Sequence, residues 1–358
     1  MREDWVDIAK AIAIMGIVLW HMKLDWISHE LFQAYPLAGG MWPVPVFFML
    51  AGFFLTDAKL QHPKTFIAKK ARRLYFPTVC LYLIATLLHN VFISMGFYGL
   101  DVDYEGRYIS VYSVVDTVKG LVASVFLAGR ELILAPLWFA CVLFVALCWM
   151  SLASYGLKRL SVSESRYKSL QLFTFLLPAL AFALLQQVHP IDIPRYGSLL
   201  RDTWLIYVGM FLRTRLNPSF DSGTWAVVGG LTLYSYSVFP CEGLVSDTVC
   251  TVGSCYLLCY LSKLLANHTS MLRRVLVAIG RDSFYIMALH LVGFKVCTLL
   301  LNAFGAGIAL DLLLPPVGSS LLLFLAYLAA GTFVPIAIMR AYRGAKACLL
   351  SLMAKKRS

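Results

Sequence analysis

The sequence predicts an all-α membrane protein, a polytopic bundle of about ten transmembrane helices with both termini in the cytoplasm. Three observations predict this fold. Only 14% of the 358 residues are charged and 60% are hydrophobic, whereas soluble domains carry about a quarter charged residues. Apolar runs long enough to cross a bilayer recur along the whole chain. The basic residues between these runs alternate in the way that a fixed orientation in the membrane requires.

The apolar runs define ten candidate spans, which together form one membrane domain over residues 1–358 without a soluble domain. The first run contains Asp7 and Lys10 and has no small-residue cleavage site, so we predict a retained helix rather than a signal peptide. The spans are expected at about 5–22, 43–58, 74–96, 134–153, 171–188, 198–212, 223–239, 246–266, 283–303 and 318–340.

The distribution of Lys and Arg supports both the number of spans and their orientation. With the N-terminus inside, 22 of the 31 basic residues fall in inner segments and 5 in outer segments. Adding or removing one span would destroy this alternation, which follows the positive-inside rule. Membrane topology therefore explains the net charge of +12. We expect the lipid bilayer, and no nucleic acid, as a partner.

The longest outer loop covers about residues 97–133. Its apolar residues over 111–128 predict an amphipathic helix that lies along the membrane surface. Most of the nine cysteines lie inside apolar runs and form no CxxC pair, so we expect small buried side chains and no metal site. Cys241 and Cys250 flank a short predicted outer loop and are candidates for a disulfide.

Ionisable residues inside spans are costly, so they are the first candidates for chemistry. Lys10 and His21 lie eleven residues apart in the first span. On an α-helix this separation places them on one face, about 16 Å apart along the axis. Asp7 lies one turn before Lys10 and is expected to pair with it. One interpretation is a polar seam through the bundle; the other is that both side chains simply reach the two interfaces.

Two further features have a structural and a functional interpretation. His290 lies about seven residues into the ninth span, as a hydrogen-bonded core residue or as a catalytic one. The basic segment, defined as Lys69, Lys70, Arg72 and Arg73, orients the chain and also suits phosphate binding at a helix start.

Other polar residues inside the spans have simpler interpretations. Arg201 and Asp202 are expected to form a local ion pair, and Lys263 and Lys295 to extend toward an interface. Gln186 and Gln187 are expected to form hydrogen bonds to other helices.

Four segments follow one another along the chain: VDIAKAIAIMGIVLWH ending at His21, FFMLAGFFL over 47–55, KKARRLYFP over 69–77 and IGRDSFYIMALH over 279–290. In this order they resemble the acyltransferase-3 family of bacterial membrane proteins, in particular its branch of fucose-4-O-acetylase-like and enterobacterial-common-antigen O-acetyltransferase-like proteins. In the first segment Lys10 takes the place of the more usual Arg, and in the second Ala51 takes the place of Ser. The resemblance covers nearly the whole chain, with a weaker match in PLWFACVLF over 136–144.

The resemblance implies an O-acyltransferase, most simply an O-acetyltransferase, of the bacterial inner membrane. Acetyl-CoA on the cytoplasmic side would be the acyl donor, and the basic segment would bind its phosphates. The acceptor would be a sugar hydroxyl of an envelope polysaccharide or a lipid-linked glycan. His21 would be general base or acyl carrier, with Lys10, Asp7 and His290 as the other candidate catalytic residues. The alternative is a transporter or flippase for a lipid-linked sugar; such folds often contain inverted repeats, and we find none in the sequence.

Overall fold

Helices form almost all of the regular structure in the computed structural model, which describes residues 3–24, 42–100, 108–189, 193, 196–239, 243–318 and 320–355. In chain order the first half contains α1 Asp4–Trp20, β1 Lys23–Leu24, α2 Pro43–Phe53, α3 Asp57–Leu60, α4 Pro63–Lys70, a π-helical segment Ala71–Tyr75, α5 Phe76–Leu87, α6 His89–Ser94, α7 Val114–Val125, a 3₁₀ segment Leu132–Leu137 and α8 Trp138–Lys158. The second half contains α9 Glu164–Val188, α10 Leu199–Phe211, a π-helical segment Leu212–Leu216, α11 Gly223–Val238, α12 Leu244–Ala266, α13 Met271–Arg281, α14 Ser283–Ala303, β2 Pro316–Gly318 and α15 Leu321–Lys355.

The prediction of an all-helical membrane bundle is confirmed in its main features. A helix lies at each of the ten predicted spans. Within the described part of the chain, five helices are long and apolar enough to cross a membrane: Leu132–Lys158, Glu164–Val188, Leu244–Ala266, Ser283–Ala303 and Leu321–Cys348. The full set of ten spans and the cytoplasmic termini stay predictions.

Helix α1 lies at the centre of the bundle, because other helices surround it on all sides. It packs against α2, α12, α13, α14 and α15. Side chains on every face of α1 are consequently buried. Peripheral helices such as α9 and α11 instead expose large apolar side chains, including Phe173, Leu177 and Val227, as a lipid-facing surface does.

Close helix packing depends on glycine at several places, and the two closest approaches are in α13 and α2. A Cβ on Gly280 of α13 would overlap the carbonyl oxygen of Asp7 in α1, and one on Gly52 of α2 would overlap the carbonyl of Ile206 in α10. Small residues allow such approaches, and in membranes van der Waals contact between helices is a main source of stability. The first contact fixes the position of α1 relative to α13, and the second that of α2 relative to α10.

The helix predicted in the outer loop is present as α7, with Ser113 and Asp116 forming a capping box at its start. Its orientation differs from the prediction. The Asn90 amide donates to the Tyr112 carbonyl at 2.9 Å, and the Tyr75 hydroxyl donates to the Val125 carbonyl at 2.8 Å. Asn90 and Tyr75 are about 22 Å apart along a helix. Helix α7 therefore runs antiparallel to α5 instead of along the membrane surface.

After α7 the chain returns toward the outer end of α5. We call α7 and the residues that follow it up to Glu131 the re-entrant segment. Glu131 reaches back to His89 at the start of α6. A row of valines on α7, of which Val114, Val118 and Val122 are examples, remains exposed. Alongside a predicted span these side chains face lipid, which explains why the sequence pattern there is amphipathic.

A buried lysine joins two loops that the predicted topology places on the outer side. Lys295 of α14 is 2% exposed and donates to the carbonyl oxygens of Phe97, Leu312 and Leu310. The prediction that Lys295 extends to an interface is therefore wrong, because carbonyl groups of the protein satisfy the ammonium inside the bundle. Nearby, β1 and β2 form one short parallel pair.

Candidate functional site

The two histidines selected from the sequence meet at the C-terminal end of α1, which the predicted topology places on the outer side. His21 caps the C-terminus of α1, and His290 lies in α14. Their ring centroids are 4.8 Å apart at an interplanar angle of 53°. We call these residues the imidazole pair. Two helices from opposite ends of the sequence thus bring together two of the predicted catalytic residues.

Backbone carbonyl groups fix the tautomer of both rings. His21 Nδ1 lies 2.8 Å from the carbonyl oxygen of Ile17, and His290 Nδ1 lies 3.0 Å from that of Ile286. Since a carbonyl oxygen only accepts, each Nδ1 carries a hydrogen and each neutral ring presents a lone pair at Nε2. His290 is fully buried, and its Nε2 has no hydrogen-bond partner among the described residues, whereas His21 is half-buried. The pair can therefore take up a proton near the outer surface.

Charged residues form a network at the inner end of α1. Lys10 Nζ lies 3.9 Å from a carboxylate oxygen of Asp7, as the sequence predicts. The Asp7 carboxylate is fully buried and also lies 3.5 Å from Nε of Arg281 in α13. Arg273 of the same helix pairs with Asp4 at 2.7 Å. Asp7 thus couples Lys10 to α13, a contribution that sequence spacing within α1 does not reveal.

The face of α1 between these two ends is apolar. Ile14 and Ile17 lie between Lys10 and His21 on this face, and both are buried. The inner and outer groups are thus separated by packed side chains, and the predicted polar seam is interrupted along this part of α1. Any flexible molecule that extends along α1 from Lys10 to His21 has to displace these apolar side chains.

The basic segment lies at the inner end of the bundle, where α4 passes through the π-helical turn into α5. Lys69, Arg72 and Arg73 are exposed. Lys70 is half-buried, with its ammonium 5.4 Å from the centre of the Phe66 ring. Burial, together with the neighbouring cations Arg73, Lys59, Lys69 and Lys10, lowers the pKa of Lys70 to about 8. The basic segment and Lys10 therefore belong to one positively charged region.

A second polar cluster lies near the outer ends of α9, α10 and α12. The predicted pair of Arg201 with Asp202 is present at 3.2 Å, and Arg201 also lies 3.5 Å from Asp247. Tyr236 donates to Asp247 at 2.8 Å. Gln186 and Gln187 line a cavity of about 430 Å³ beside Arg201. The cluster is thus larger than the local pair that the sequence predicts.

The remaining predictions about single residues have simple outcomes. Lys263 pairs with Asp221 at 3.1 Å, so it has a protein partner at the inner side. Among the described residues no group of His, Cys, Asp or Glu has an arrangement that could hold a metal ion. Cys250 is buried, and Cys241 lies outside the described residues, so a disulfide between them stays a prediction.

Sequence reasoning missed the pair of His89 and Glu131. His89 Nδ1 lies 3.0 Å from the Glu131 carboxylate, and His89 Nε2 lies 3.0 Å from the Ser110 carbonyl. The Tyr112 ring stacks on the imidazole with centroids 3.5 Å apart. The only available signal was the unusual position of two ionisable residues near the ends of apolar runs.

Helices long and apolar enough to cross a membrane, with a histidine pair at one end of α1 and basic residues at the other, are compatible with a membrane enzyme of group transfer. Residues 3–340 match the acyltransferase-3 family, whose model is described as an acyltransferase domain. The chain therefore belongs to this family and is a membrane acyltransferase. Comparisons with curated proteins and with solved structures gave no match.

Proposed function

We propose that the protein is an O-acyltransferase of the bacterial inner membrane. It transfers an acetyl group from cytoplasmic acetyl-CoA to a sugar hydroxyl of an envelope polysaccharide or a lipid-linked glycan. The observation that carries this proposal is the contact of His21 with His290, whose ring centroids lie 4.8 Å apart, together with a lone pair at His290 Nε2 that has no hydrogen-bond partner among the described residues. Membership of the acyltransferase family supplies the reaction class.

His21 is the general base in this proposal, because it is the more exposed member of the imidazole pair. Its Nε2 takes the proton of the acceptor hydroxyl as the hydroxyl oxygen bonds to the thioester carbonyl carbon. The carbon–sulfur bond then breaks, and the proton passes to the CoA thiolate. His290 lies behind His21 and stabilises the positive charge that develops on it, since its own Nε2 is a lone-pair acceptor. Positioned proton transfer of this kind contributes about 10²- to 10⁴-fold to a rate.

The inner end of the bundle supplies the donor site in the same proposal. The phosphates of acetyl-CoA bind the basic segment, where Lys69, Arg72 and Arg73 are exposed. The pantetheine arm then extends along α1 past Lys10 toward His21. Because Ile14 and Ile17 close that face in the structure, the arm displaces their side chains as it enters. The apolar part of the arm can then contact the apolar side chains of this layer.

The experiment that tests this proposal measures transfer of labelled acetyl from acetyl-CoA to endogenous glycan in inverted membrane vesicles. We expect His21→Ala to lower the rate by about 100-fold or more, with unchanged acetyl-CoA binding. His268→Gln, which changes an exposed histidine, is the matched control and should transfer normally.

Right-side-out vesicles supplied with external acetyl-CoA should show no transfer, since the donor would be on the wrong side of the membrane. Undiminished transfer by a folded His21→Ala protein would exclude the proposed role of this residue as general base. Glycan translocation without acyl transfer would favour the flippase alternative.

A further inference from the structure

A cavity of about 730 Å³ lies between the re-entrant segment and the outer ends of α5 and α6. We call it the outer cavity. Gly120 and Ala128, which have little or no side chain, contribute to its walls and so leave room inside. Its polar and aromatic lining consists of His89, Tyr108, Tyr112, Asp116, Lys119, Arg130 and Tyr196.

The wall next to α6 is held rigidly. Both ring nitrogens of His89 face acceptors, the Glu131 carboxylate and the Ser110 carbonyl, so both carry hydrogen and the imidazole is a cation. Tyr112 stacks flat on this ring, with an interplanar angle of 11°. Burial, reinforced by the Glu131 carboxylate, raises the pKa of Tyr112 to about 12. Its phenol therefore keeps its proton and donates a hydrogen bond to the Glu131 carboxylate, which holds the ring in place.

The charge that faces the outer cavity is mainly positive. Among the described residues, neither Lys119 nor Arg130 forms an ion pair. The Asp116 carboxylate accepts two hydrogen bonds from Ser113, one from the hydroxyl at 2.6 Å and one from the backbone N–H at 3.2 Å. Lys119 lies one turn from Asp116 and interacts with its charge, so Arg130 is the cation without a described carboxylate partner that leaves this cavity suited to an anion.

The outer cavity also adjoins the imidazole pair through one structural element. Leu132 lines the cavity and begins the 3₁₀ segment Leu132–Leu137. That segment packs against α14, the helix that carries His290. A molecule in the cavity therefore lies one element away from the proposed site of acyl transfer.

We infer that the outer cavity binds the acyl acceptor, and that the acceptor is a glycan carrying an anionic group. Arg130 and Lys119 bind this group, which is a sugar carboxylate or the phosphate of a lipid-linked sugar. Tyr108, Tyr112 and Tyr196 contact the sugar rings, since aromatic faces suit the apolar faces of sugars and phenol groups bond their hydroxyls. That the bound glycan is the acyl acceptor rests on the proposed acyl transfer, but the binding of an anionic glycan can be measured without any reaction.

The test uses the full chain purified in lipid nanodiscs, without acetyl-CoA, and measures binding of three probes by calorimetry. Tetragalacturonate carries carboxylates, maltotetraose is a neutral glycan of the same length, and a short polyprenyl-diphosphate N-acetylglucosamine carries phosphates. We expect at least one anionic probe to bind about tenfold or more tightly than maltotetraose. The tighter of the two anionic probes identifies the source of the charge.

Arg130→Gln should weaken binding of that probe by about tenfold, and Lys119→Gln, on an exposed helix surface, should weaken it in the same direction. Lys158→Gln removes an equal charge at the inner end of α8 and should leave binding unchanged. Thermal melting of each variant shows whether it is folded, and Lys119→Gln decides the matter if Arg130→Gln does not fold.

Equal binding of neutral and anionic probes, or unchanged binding in both folded variants, would overturn the inference. Because these measurements need no acyl transfer, their failure is distinct from that of the proposed reaction. Charge-selective binding together with absent acetyl transfer in vesicles would support the cavity and refute the reaction.

Discussion

At the scale of single residues, the sequence identified both members of the imidazole pair but not their contact. The cost of burying an ionisable group in a membrane selects His21 and His290 one at a time. Their separation of 4.8 Å depends on how α1 packs against α14, which no helical periodicity can give. For the same reason the partners of Lys295, three carbonyl groups in distant loops, were not predictable.

The imidazole pair predicts a specific effect at His290. His290→Gln keeps the size and a polar end but removes the proton acceptor behind His21, so we expect acetyl transfer to fall by about 10- to 100-fold. The KM for acetyl-CoA should stay the same, because the residue is remote from the basic segment. Labelled-acetyl transfer at varied acetyl-CoA concentration measures both quantities. Normal transfer in a folded His290→Gln protein, compared with His268→Gln, would contradict the role of His290.

A pH effect follows from the half-buried ammonium of Lys70. Burial and the cations around it, namely Arg73, Lys59, Lys69 and Lys10, bring its pKa to about 8. Below that pH the side chain is charged and attracts phosphate; above it the charge is lost. The affinity for acetyl-CoA should therefore fall by about fivefold between pH 7 and pH 9.

Substitution identifies the group responsible for that change. Lys70→Arg keeps its charge across the range, so its affinity should be nearly constant from pH 7 to pH 9. Lys64→Arg, at an exposed position of the same helix α4, should retain the wild-type profile. Calorimetric titration with acetyl-CoA at each pH gives the comparison. An identical decline in Lys70→Arg and in the wild type would exclude Lys70 as the cause.

At the scale of elements, hydropathy located the helices well and their irregularities poorly. Helices coincide with all ten predicted spans, because an apolar run in lipid must satisfy its own backbone groups. The π-helical segment Ala71–Tyr75 comes just before Pro77, which has no N–H to continue the regular ladder. The re-entrant course of α7 depends on contacts with α5 that its amphipathic pattern does not contain.

The contact of α1 with α13 predicts an effect of one methyl group. In Gly280→Ala the new Cβ overlaps the Asp7 carbonyl oxygen, so the helices must separate. We expect a loss of about 1–3 kcal/mol in stability and reduced acetyl transfer, since Lys10 and His21 move with α1. Thermal melting in nanodiscs measures the first and labelled transfer the second.

Gly156→Ala is the matched control for this change. Gly156 is an exposed glycine of α8 whose added Cβ would meet nothing within 4 Å. Alanine there should be neutral or slightly stabilising, because it lowers the conformational entropy of the unfolded chain and favours the helix more than glycine does. If both variants melted alike, the close approach at Gly280 would not limit stability.

At the scale of the whole molecule, contacts between loops agree with the predicted sidedness. Lys295 joins segments near Phe97 and Leu312, which the charge distribution places outside. Arg273 pairs with Asp4, and Arg343 pairs with Asp282 at 2.8 Å, in segments that it places inside. The exception is Val125 of the predicted outer loop, which meets Tyr75 at the predicted inner end of the third span because α7 runs back along α5. Apart from this re-entrant segment, these contacts are compatible with the positive-inside pattern.

The same sidedness predicts which surface cysteines a membrane-impermeant thiol reagent reaches. Val111 lies on the predicted outer side and Leu160 on the inner side, and they are 57% and 59% exposed, so they form a matched pair. In a variant without the exposed Cys80 and Cys348, Val111→Cys should be labelled in intact cells and Leu160→Cys only in inverted vesicles. This orientation leaves the basic segment in contact with cytoplasmic acetyl-CoA and the outer cavity facing the envelope. Labelling of both positions from the same side would mean that the one predicted span between them, 134–153, fails to cross the membrane, and the donor and acceptor sites would then no longer lie on opposite sides.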